Sequence, residues 1–323
     1  MAARDPRAEA QAALEVGLVA RVLEPSPPAV ADPPWLADDP VQDGGPPDAG
    51  VVAPVRLGAA RTWDEWLADH PERAGWAAER WLGAHRRLIA PPPGFGATRL
   101  ALHRVAVYAV SPARRRANGK IGLRFTTGGF GTPFFGDDEQ VRIEGDRIVR
   151  QAGGRAREEP LTTLAAAAAL ALDGPPDLAW AEGSDVPPAG DPRATLGLDA
   201  VAARLLGDWY GFAWSALEEL RADPASGPGG RVQLWPEHFD AAVDLGPEGP
   251  GRATYGASPG DADVDEPYLY VLPSVPEAAP GGGLWNAAAF HGAILSLGAF
   301  VGATDQRAAA LAFFRERRDA LAA

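Results

Sequence analysis

The chain has 323 residues, of which 46% are hydrophobic and 23% charged. This balance is typical of a globular protein with one large or two small domains, and it excludes wholesale disorder and a coiled coil. The formal net charge is −13 at pH 7, which argues against nucleic-acid partners because an acidic surface repels phosphate backbones. Cysteine is absent, so disulfides, thiolate metal sites and a cysteine nucleophile are excluded.

The sequence predicts neither a membrane span nor an export signal. The longest apolar run, over residues 161–172, is too short for a bilayer. The N-terminal apolar stretch carries Glu9 and Glu15, which do not suit the apolar segment of a signal peptide. We therefore expect a soluble, cytoplasmic protein without a membrane partner.

Residues 1–54 are predicted to form an N-terminal helix and a proline-rich extended arm. The helix candidate covers residues 8–23, where apolar residues have amphipathic spacing. Proline, aspartate and glycine dominate residues 24–54, and proline lacks the backbone donor that helices and sheets need. We predict that residues 24–54 form no regular secondary structure.

Residues 55–172 are predicted to form helices and a small antiparallel sheet. Thr62 and Glu65 have the spacing of a capping box, at the start of helical spacing over residues 62–89. The later elements of this half are helices at 98–118 and 162–172, a strand at 120–127, and a hairpin of 140–144 and 147–151 around Gly145-Asp146.

A proline- and glycine-rich connection at 173–194 is predicted to separate this half from residues 195–323. The second half begins with the clearest helix, 196–220, whose stripe includes Leu205, Trp209 and Phe212. We expect this stripe to cover the strands that begin at Val232 and Tyr268. Five strands are predicted at 231–235, 239–245, 252–257, 268–272 and 290–297, and the closing helix at 304–321.

The order helix, strands, helix thus occurs twice. Because the strands are too closely spaced for βαβ crossovers, antiparallel sheets are expected. The predicted fold is α+β, with antiparallel sheets packed against several helices and an order compatible with two similar helix-plus-sheet halves. Similarity between the halves at residue level is poor, so no internal repeat is claimed.

Several strings are similar to a group of actinobacterial proteins with no assigned activity. They are TWDEWLADHPE at 62–72, WAAERWL at 76–82, GKIGLRFTTGGFGTPFFGDDEQVRIEG at 119–145, LWPEHFD at 234–240, YGASPGD at 255–261 and PYLYV at 267–271. The resemblance covers most of the chain. It implies no activity, cofactor or catalytic residue.

One candidate site consists of Glu237, His238 and Asp240, with His291 as a further ligand from another strand. On one strand, residues two apart share a face, so His238 and Asp240 could ligate a metal together with His291. Glu237 would then be the general base of a metal-assisted, hydrolase-like enzyme. The competing interpretation, which we favour, is a capped turn at Asp240 with a solvated histidine. No bound metal or other cofactor is predicted.

Three other patterns favour structural interpretations. Asp261, Asp263 and Asp265 have calcium-loop spacing, but the loop lacks its glycine and its glutamate, which favours a solvated acidic turn. The glycine-rich segment 128–133 matches no phosphate-binding loop and is interpreted as a tight connection. Gly-x-Ser-x-Gly does not occur.

Aromatic residues form the last pattern. Tyr268 and Tyr270 share a strand face, and the long helix carries Tyr210 and Trp214, with Trp214 at the edge of its stripe. A plain aromatic core is the competing interpretation. We take Tyr210, Trp214, Tyr255, Tyr268 and Tyr270 as candidate ligand-binding residues and expect Trp214 to be less buried than Trp209.

These observations favour a non-enzymatic binding or interaction protein with an aromatic-lined cleft and a small-molecule or protein partner. The alternatives are the metal-assisted enzyme with His238 and Asp240, and a structural partner that docks through the proline-rich arm.

Overall fold

The structure is a computed structural model. It describes residue 71 and residues 87–126, 128–133, 135, 139–152, 155–179, 186–230, 232–279 and 283–322. The predicted helix at 8–23, the arm at 24–54 and nearly all of the helical spacing at 62–89 lie outside the described residues.

The first half opens with a long helical segment and continues into a sheet. Helix α1, Phe95–Val105, passes through a π-helical turn, Ala106–Val110, into α2, Ser111–Asn118. Helix α3, Leu164–Leu172, follows the sheet, and the Thr163 hydroxyl caps it by accepting from the Ala166 N–H at 3.0 Å. The strands are β1 Arg124–Thr126, β2 Gly129–Gly131, β3 Gln140–Glu144, β4 Arg147–Ala152 and β5 Arg155–Pro160.

The second half has the same order of elements. Helix α4, Ala200–Ala222, begins at the Asp199 cap, whose Oδ1 accepts from the Ala202 N–H at 2.8 Å. The sheet is followed by the short helix α5, Leu297–Phe300, and by α6, Gln306–Ala322. The strands are β6 Gln233–Trp235, β7 Asp240–Leu245, β8 Ala253–Ser258, β9 Tyr268–Pro273 and β10 Ala293–Ser296.

The strands form two five-stranded antiparallel sheets, each with its strands in chain order. This confirms the predicted α+β class. Leu123 and Leu234 exchange backbone hydrogen bonds of 2.7 and 2.9 Å, which join the two sheets between β1 and β6. Helix α4 packs against β1 and β2 of the first sheet and β7 and β8 of the second, so residues of both halves share one core.

The stripe of α4 is buried as predicted, but its partners differ. Leu205, Trp209 and Phe212 are buried, and the main strand contacts of α4 are with β1, β2, β7 and β8 instead of β6 and β9. Trp214, which we expected to be less buried than Trp209 and able to border a cleft, is 2% exposed against 0% for Trp209. Because α4 also contacts α1 and α6, it is enclosed on several sides, and the edge of its stripe is buried as well.

Three strand predictions need correction. Gly129–Gly131 forms β2, where we predicted a connection. The glycines allow close approach by α4, since a Cβ on Gly207 would lie 2.6 Å from the Gly128 carbonyl carbon. Strand β5 was not predicted, because an edge strand with exposed charged residues lacks apolar alternation. In the predicted strand 290–297, only Ala293–Ser296 is a strand.

In the part of the chain that the structure describes, no helix combines the length and apolar character needed to cross a membrane.

Candidate functional site

A cavity of about 930 Å³ lies between α1 and the second sheet. Helix α1 contributes residues spaced three and four apart, so they share one helix face. The strands contribute alternate residues, which point away from core residues such as Leu269 and Val271. The main lining residues of these elements are Gly96, Arg99, Leu100 and His103 on α1, Asp240, Ala242 and Asp244 on β7, Thr254 and Ser258 on β8, and Tyr268, Tyr270 and Leu272 on β9.

Tyr270 of β9 lines the cavity and crosses the neighbouring strand β8. Tyr270 pairs with Gly256 of β8, and Gly256 pairs with Ala242 of β7. A Cβ on Gly256 would overlap the hydroxyl end of the Tyr270 ring. The missing side chain therefore allows Tyr270 to pass over β8 and donate its hydroxyl proton to Oδ2 of Asp240 on β7.

A second tyrosine–carboxylate pair lies beside the first. The Tyr268 hydroxyl donates to Asp261 Oδ2 at 2.5 Å. Asp261 Oδ1 accepts from the backbone N–H groups of Asp263 and Val264, each at 2.8 Å. The acidic segment between β8 and β9 is thus a turn organised around Asp261, and Arg99 Nη2 donates to the Asp261 carbonyl at 3.1 Å.

Both tyrosines of these pairs are protonated at neutral pH. Burial raises the pKa of Tyr270 well above its usual value, and the negative charge of Asp240 raises it further. Burial and then the hydrogen bond to Asp261 raise the pKa of Tyr268. Each phenol therefore acts as a hydrogen-bond donor to a carboxylate.

His103 connects α1 to the turn between β6 and β7. Its Nε2 lies 2.8 Å from the Pro236 carbonyl oxygen, and its ring stacks on Phe239 with centroids 4.9 Å apart. Burial lowers the pKa of His103 to about 4, so the ring is neutral at pH 7. Since a carbonyl only accepts, the hydrogen bond assigns the proton to Nε2.

The turn itself has an uncommon backbone conformation. Phe239 has φ 56°, a left-handed conformation that costs roughly 1–3 kcal/mol for a residue other than glycine. The Phe130 and Tyr210 rings pack edge-on against the Phe239 ring at 5.0 and 5.5 Å, and the Tyr210 hydroxyl donates to the Phe239 carbonyl at 2.6 Å. These contacts fix the turn, from which Glu237 and His238 line the cavity.

The charge of the cavity lining is mostly negative. Among the described lining residues, Arg99 is the one arginine or lysine, and its Nη2 also lies 3.7 Å from the carboxylate of Asp265. The lining carboxylates are Glu237, Asp240, Asp244, Asp261 and Asp263.

The cavity also has an aromatic wall. The Tyr268 and Tyr270 rings are tilted by 54° with centroids 6.2 Å apart. The Phe290 ring is nearly perpendicular to Tyr270, at 82° and 6.4 Å, and Trp235 also lines the cavity. We call Trp235, Tyr268, Tyr270 and Phe290 the aromatic wall. Its rings meet at angles, so they present faces in several directions.

The structure brings some predicted ligand-binding residues together and separates others. Tyr268 and Tyr270 line the cavity. Tyr210, Trp214 and Tyr255 are buried in the shared core and do not line this cavity. Burial raises the pKa of Tyr255 to about 12. The alternation along β9 thus correctly placed Tyr268 and Tyr270 on one face, but the helix stripe belongs to the core.

The candidate metal ligands do not converge. Glu237, His238 and Asp240 line the cavity, whereas His291 is exposed and lies outside its lining. His238 belongs to the turn before β7, not to the strand that Asp240 begins. The argument that the two residues share a strand face was therefore wrong. Within the described ranges, no three histidine, aspartate or glutamate residues form a group that could hold a metal ion.

Arg99 and His103 were missed as site residues. Their spacing with Gly96 on α1 was a usable signal. An exposed polar helix face has the same spacing, however, and only the position of α1 beside the second sheet gives these residues a role.

No protein-family model, curated protein or solved structure matches the chain.

Proposed function

We propose that the protein is a non-enzymatic binding protein whose cavity takes a small organic cation. The observation that carries this proposal is the lining, which combines five carboxylates with an aromatic wall and one arginine. The proposed location is the cytoplasm, as expected from the sequence.

Electrostatics and size both support a cationic ligand. Carboxylates in a partly enclosed site attract a cation more strongly than carboxylates in bulk water, because the effective dielectric constant is lower. Aromatic faces add about 0.5–2 kcal/mol for a cation within reach. A cavity of about 930 Å³ lies within the usual range for small-molecule sites, roughly 300–1,000 Å³.

The observations favour this function over the metal-assisted enzyme. That alternative needs His238, Asp240 and His291 at one centre, and His291 is outside the cavity lining. Docking through the proline-rich arm concerns residues 24–54, which lie outside the described residues, so no contact of the described chain supports it.

The test uses three ligands of similar shape and different charge. Benzylammonium, benzyl alcohol and benzoate are titrated into the full chain by isothermal titration calorimetry at low salt. We expect benzylammonium to bind, benzyl alcohol to bind more weakly and benzoate not to bind. Binding of benzoate in preference to benzylammonium would contradict the proposal.

A matched pair of variants localises the binding. Asp240→Asn removes a buried charge from the cavity, and Glu248→Gln removes an exposed charge from the loop between β7 and β8. We expect about tenfold weaker benzylammonium binding in Asp240→Asn, equivalent to about 1.4 kcal/mol. The affinity of Glu248→Gln should equal that of the parent, and an equal loss in both variants would indicate a non-specific charge effect.

A further inference from the structure

Three of the five lining carboxylates already accept hydrogen bonds from within the protein. Asp261 Oδ1 already accepts two backbone N–H groups, and its Oδ2 accepts the Tyr268 hydroxyl. Asp240 Oδ2 accepts the Tyr270 hydroxyl, and Asp244 Oδ1 accepts the Thr254 hydroxyl at 2.5 Å. Part of the hydrogen-bonding capacity of these three carboxylates is thus used within the protein.

The same hydrogen bonds act on the aromatic wall. A phenol that donates to a carboxylate gains electron density in its ring, since hydrogen-bonded groups polarise one another. The faces of Tyr268 and Tyr270 therefore become more negative and attract cations more strongly. Gly256 lies under the hydroxyl end of the Tyr270 ring, so one side of the ring packs on the sheet and its other side is directed away from it.

Primary and methylated ammonium groups differ in what they require. A primary ammonium has three N–H donors, and removing them from water is costly unless each finds an acceptor. A quaternary ammonium has no N–H donor, is weakly hydrated and interacts with charge and with aromatic faces. Aromatic cages are the known protein solution for binding it.

We propose that the cation bound in this cavity carries a methylated ammonium group, held against the aromatic wall in the field of Asp240 and Asp261. This inference rests on the proposed function and narrows its ligand class. Trp235 and Phe290 complete the contact with the methyl groups, and the tyrosine–carboxylate pairs supply the charge.

The test compares three probes that differ in one feature each. Choline carries a quaternary ammonium, ethanolamine has the same chain with a primary ammonium, and 3,3-dimethylbutan-1-ol is the neutral isostere of choline. We expect choline to bind the full chain about tenfold or more tightly than either of the others, measured by calorimetry in a sodium buffer free of amines.

The outcomes separate this inference from the proposed function. Equal or tighter binding of ethanolamine would overturn the inference and leave cation binding intact. Equal binding of the neutral isostere would show that charge is not recognised and would overturn both. Binding of benzylammonium without binding of choline would also overturn the inference alone, and binding of none of the cations would overturn both.

Two phenylalanine substitutions test whether the bound cation lies against the aromatic wall. Phe290→Leu changes a half-buried residue of the aromatic wall, and Phe313→Leu changes a buried ring of α6 outside the cavity lining. We expect Phe290→Leu to reduce the preference for choline over ethanolamine severalfold and Phe313→Leu to keep it. An unchanged preference in Phe290→Leu would overturn the assigned position.

Tyr270→Phe retains the ring without its hydroxyl, and an unchanged choline affinity there would overturn the role given to the Tyr270–Asp240 pair.

Discussion

The two sheets have the same topology and differ in the face that alternates with their apolar core residues. In the first sheet this face carries Arg124 and Arg142, which are 5% and 1% exposed, and Arg142 Nε donates to Glu144 at 2.6 Å. In the second sheet the corresponding face carries Asp240 and Tyr270 and lines the cavity. One face is basic and buried, and the other is acidic and lines a cavity.

The two halves share a framework, but among the described residues it is the second sheet, together with α1 of the first half, that lines the candidate cavity. The framework needs apolar residues toward α4, and both sheets have them. In the second sheet Ala242 and Gly256 are small, and the space over Gly256 takes the Tyr270 ring, which lines the cavity and reaches Asp240. A repeated architecture therefore does not imply a repeated site.

The largest expected effect tests whether the halves are one folding unit. Trp209 is fully buried on α4 and stacks near Phe212 with centroids 6.1 Å apart. Trp209→Ala should lower the free energy of unfolding by about 3–5 kcal/mol, because it removes a large buried ring. Urea unfolding should remain a single transition, since α4 packs on both sheets. Two separate transitions would show that the halves are independent.

The second prediction is a loss of folding stability at acidic pH. In the folded protein His103 has a pKa of about 4, whereas an unfolded histidine has about 6.5. Between these values the unfolded state binds more protons, so stability falls as pH decreases from about 6.5 to 4. The expected loss approaches about 3 kcal/mol near pH 4.

Urea unfolding at pH 7 and pH 4.5 measures the effect, and His103→Gln is the matched variant because its amide can still donate to the Pro236 carbonyl. The free energy of unfolding should fall less between pH 7 and pH 4.5 in His103→Gln than in the parent. Hydrogen exchange should show β7 losing protection before β3, since His103 packs on the turn before β7. The same slope in parent and variant would exclude His103 as the origin.

The third prediction tests whether binding needs the space over Gly256 that the Tyr270 ring occupies, in addition to the charge of the cavity lining. Gly256→Ala should displace Tyr270 and lower the free energy of unfolding by about 1–3 kcal/mol, as overpacking does, and benzylammonium binding should be lost. Gly302→Ala is the control, because a Cβ there meets nothing within 4 Å. Retained binding in Gly256→Ala would mean that the position of Tyr270 does not matter.

The smallest expected effect is at the edge of the first sheet. The Arg147 and Glu158 side chains are paired at 3.0 Å but are 40% and 46% exposed. Glu158→Gln should change the free energy of unfolding by less than about 1 kcal/mol, since water and salt screen an exposed pair. Benzylammonium affinity should not change, and a loss of binding would show that the first sheet also contributes to the site.

Local signals in the sequence predicted much of the framework. The hairpin around Gly145-Asp146 is present with β3 and β4 at its predicted positions, apart from one added residue. The long helix α4 and the closing helix α6 lie within a few residues of their predictions. These elements have strong periodicity, so each is specified by nearby residues.

Other elements depend on neighbours that are distant in the chain. Strand β5 exists because it pairs with β4, although its charged residues show no apolar alternation. Trp214 is buried because several elements surround α4, and a helical stripe indicates only which side is most apolar.

The sequence by itself determined the fold class, most of the helices and strands, and the shared face of Tyr268 and Tyr270, because these follow from local periodicity and turn chemistry. Only the tertiary structure decided which sheet face lines a cavity. It brought Arg99 and His103 of α1 beside the second sheet and held Phe239 in a left-handed turn between aromatic rings. The physical reason is that a site is made of contacts between segments far apart in the chain, and such contacts leave no local pattern.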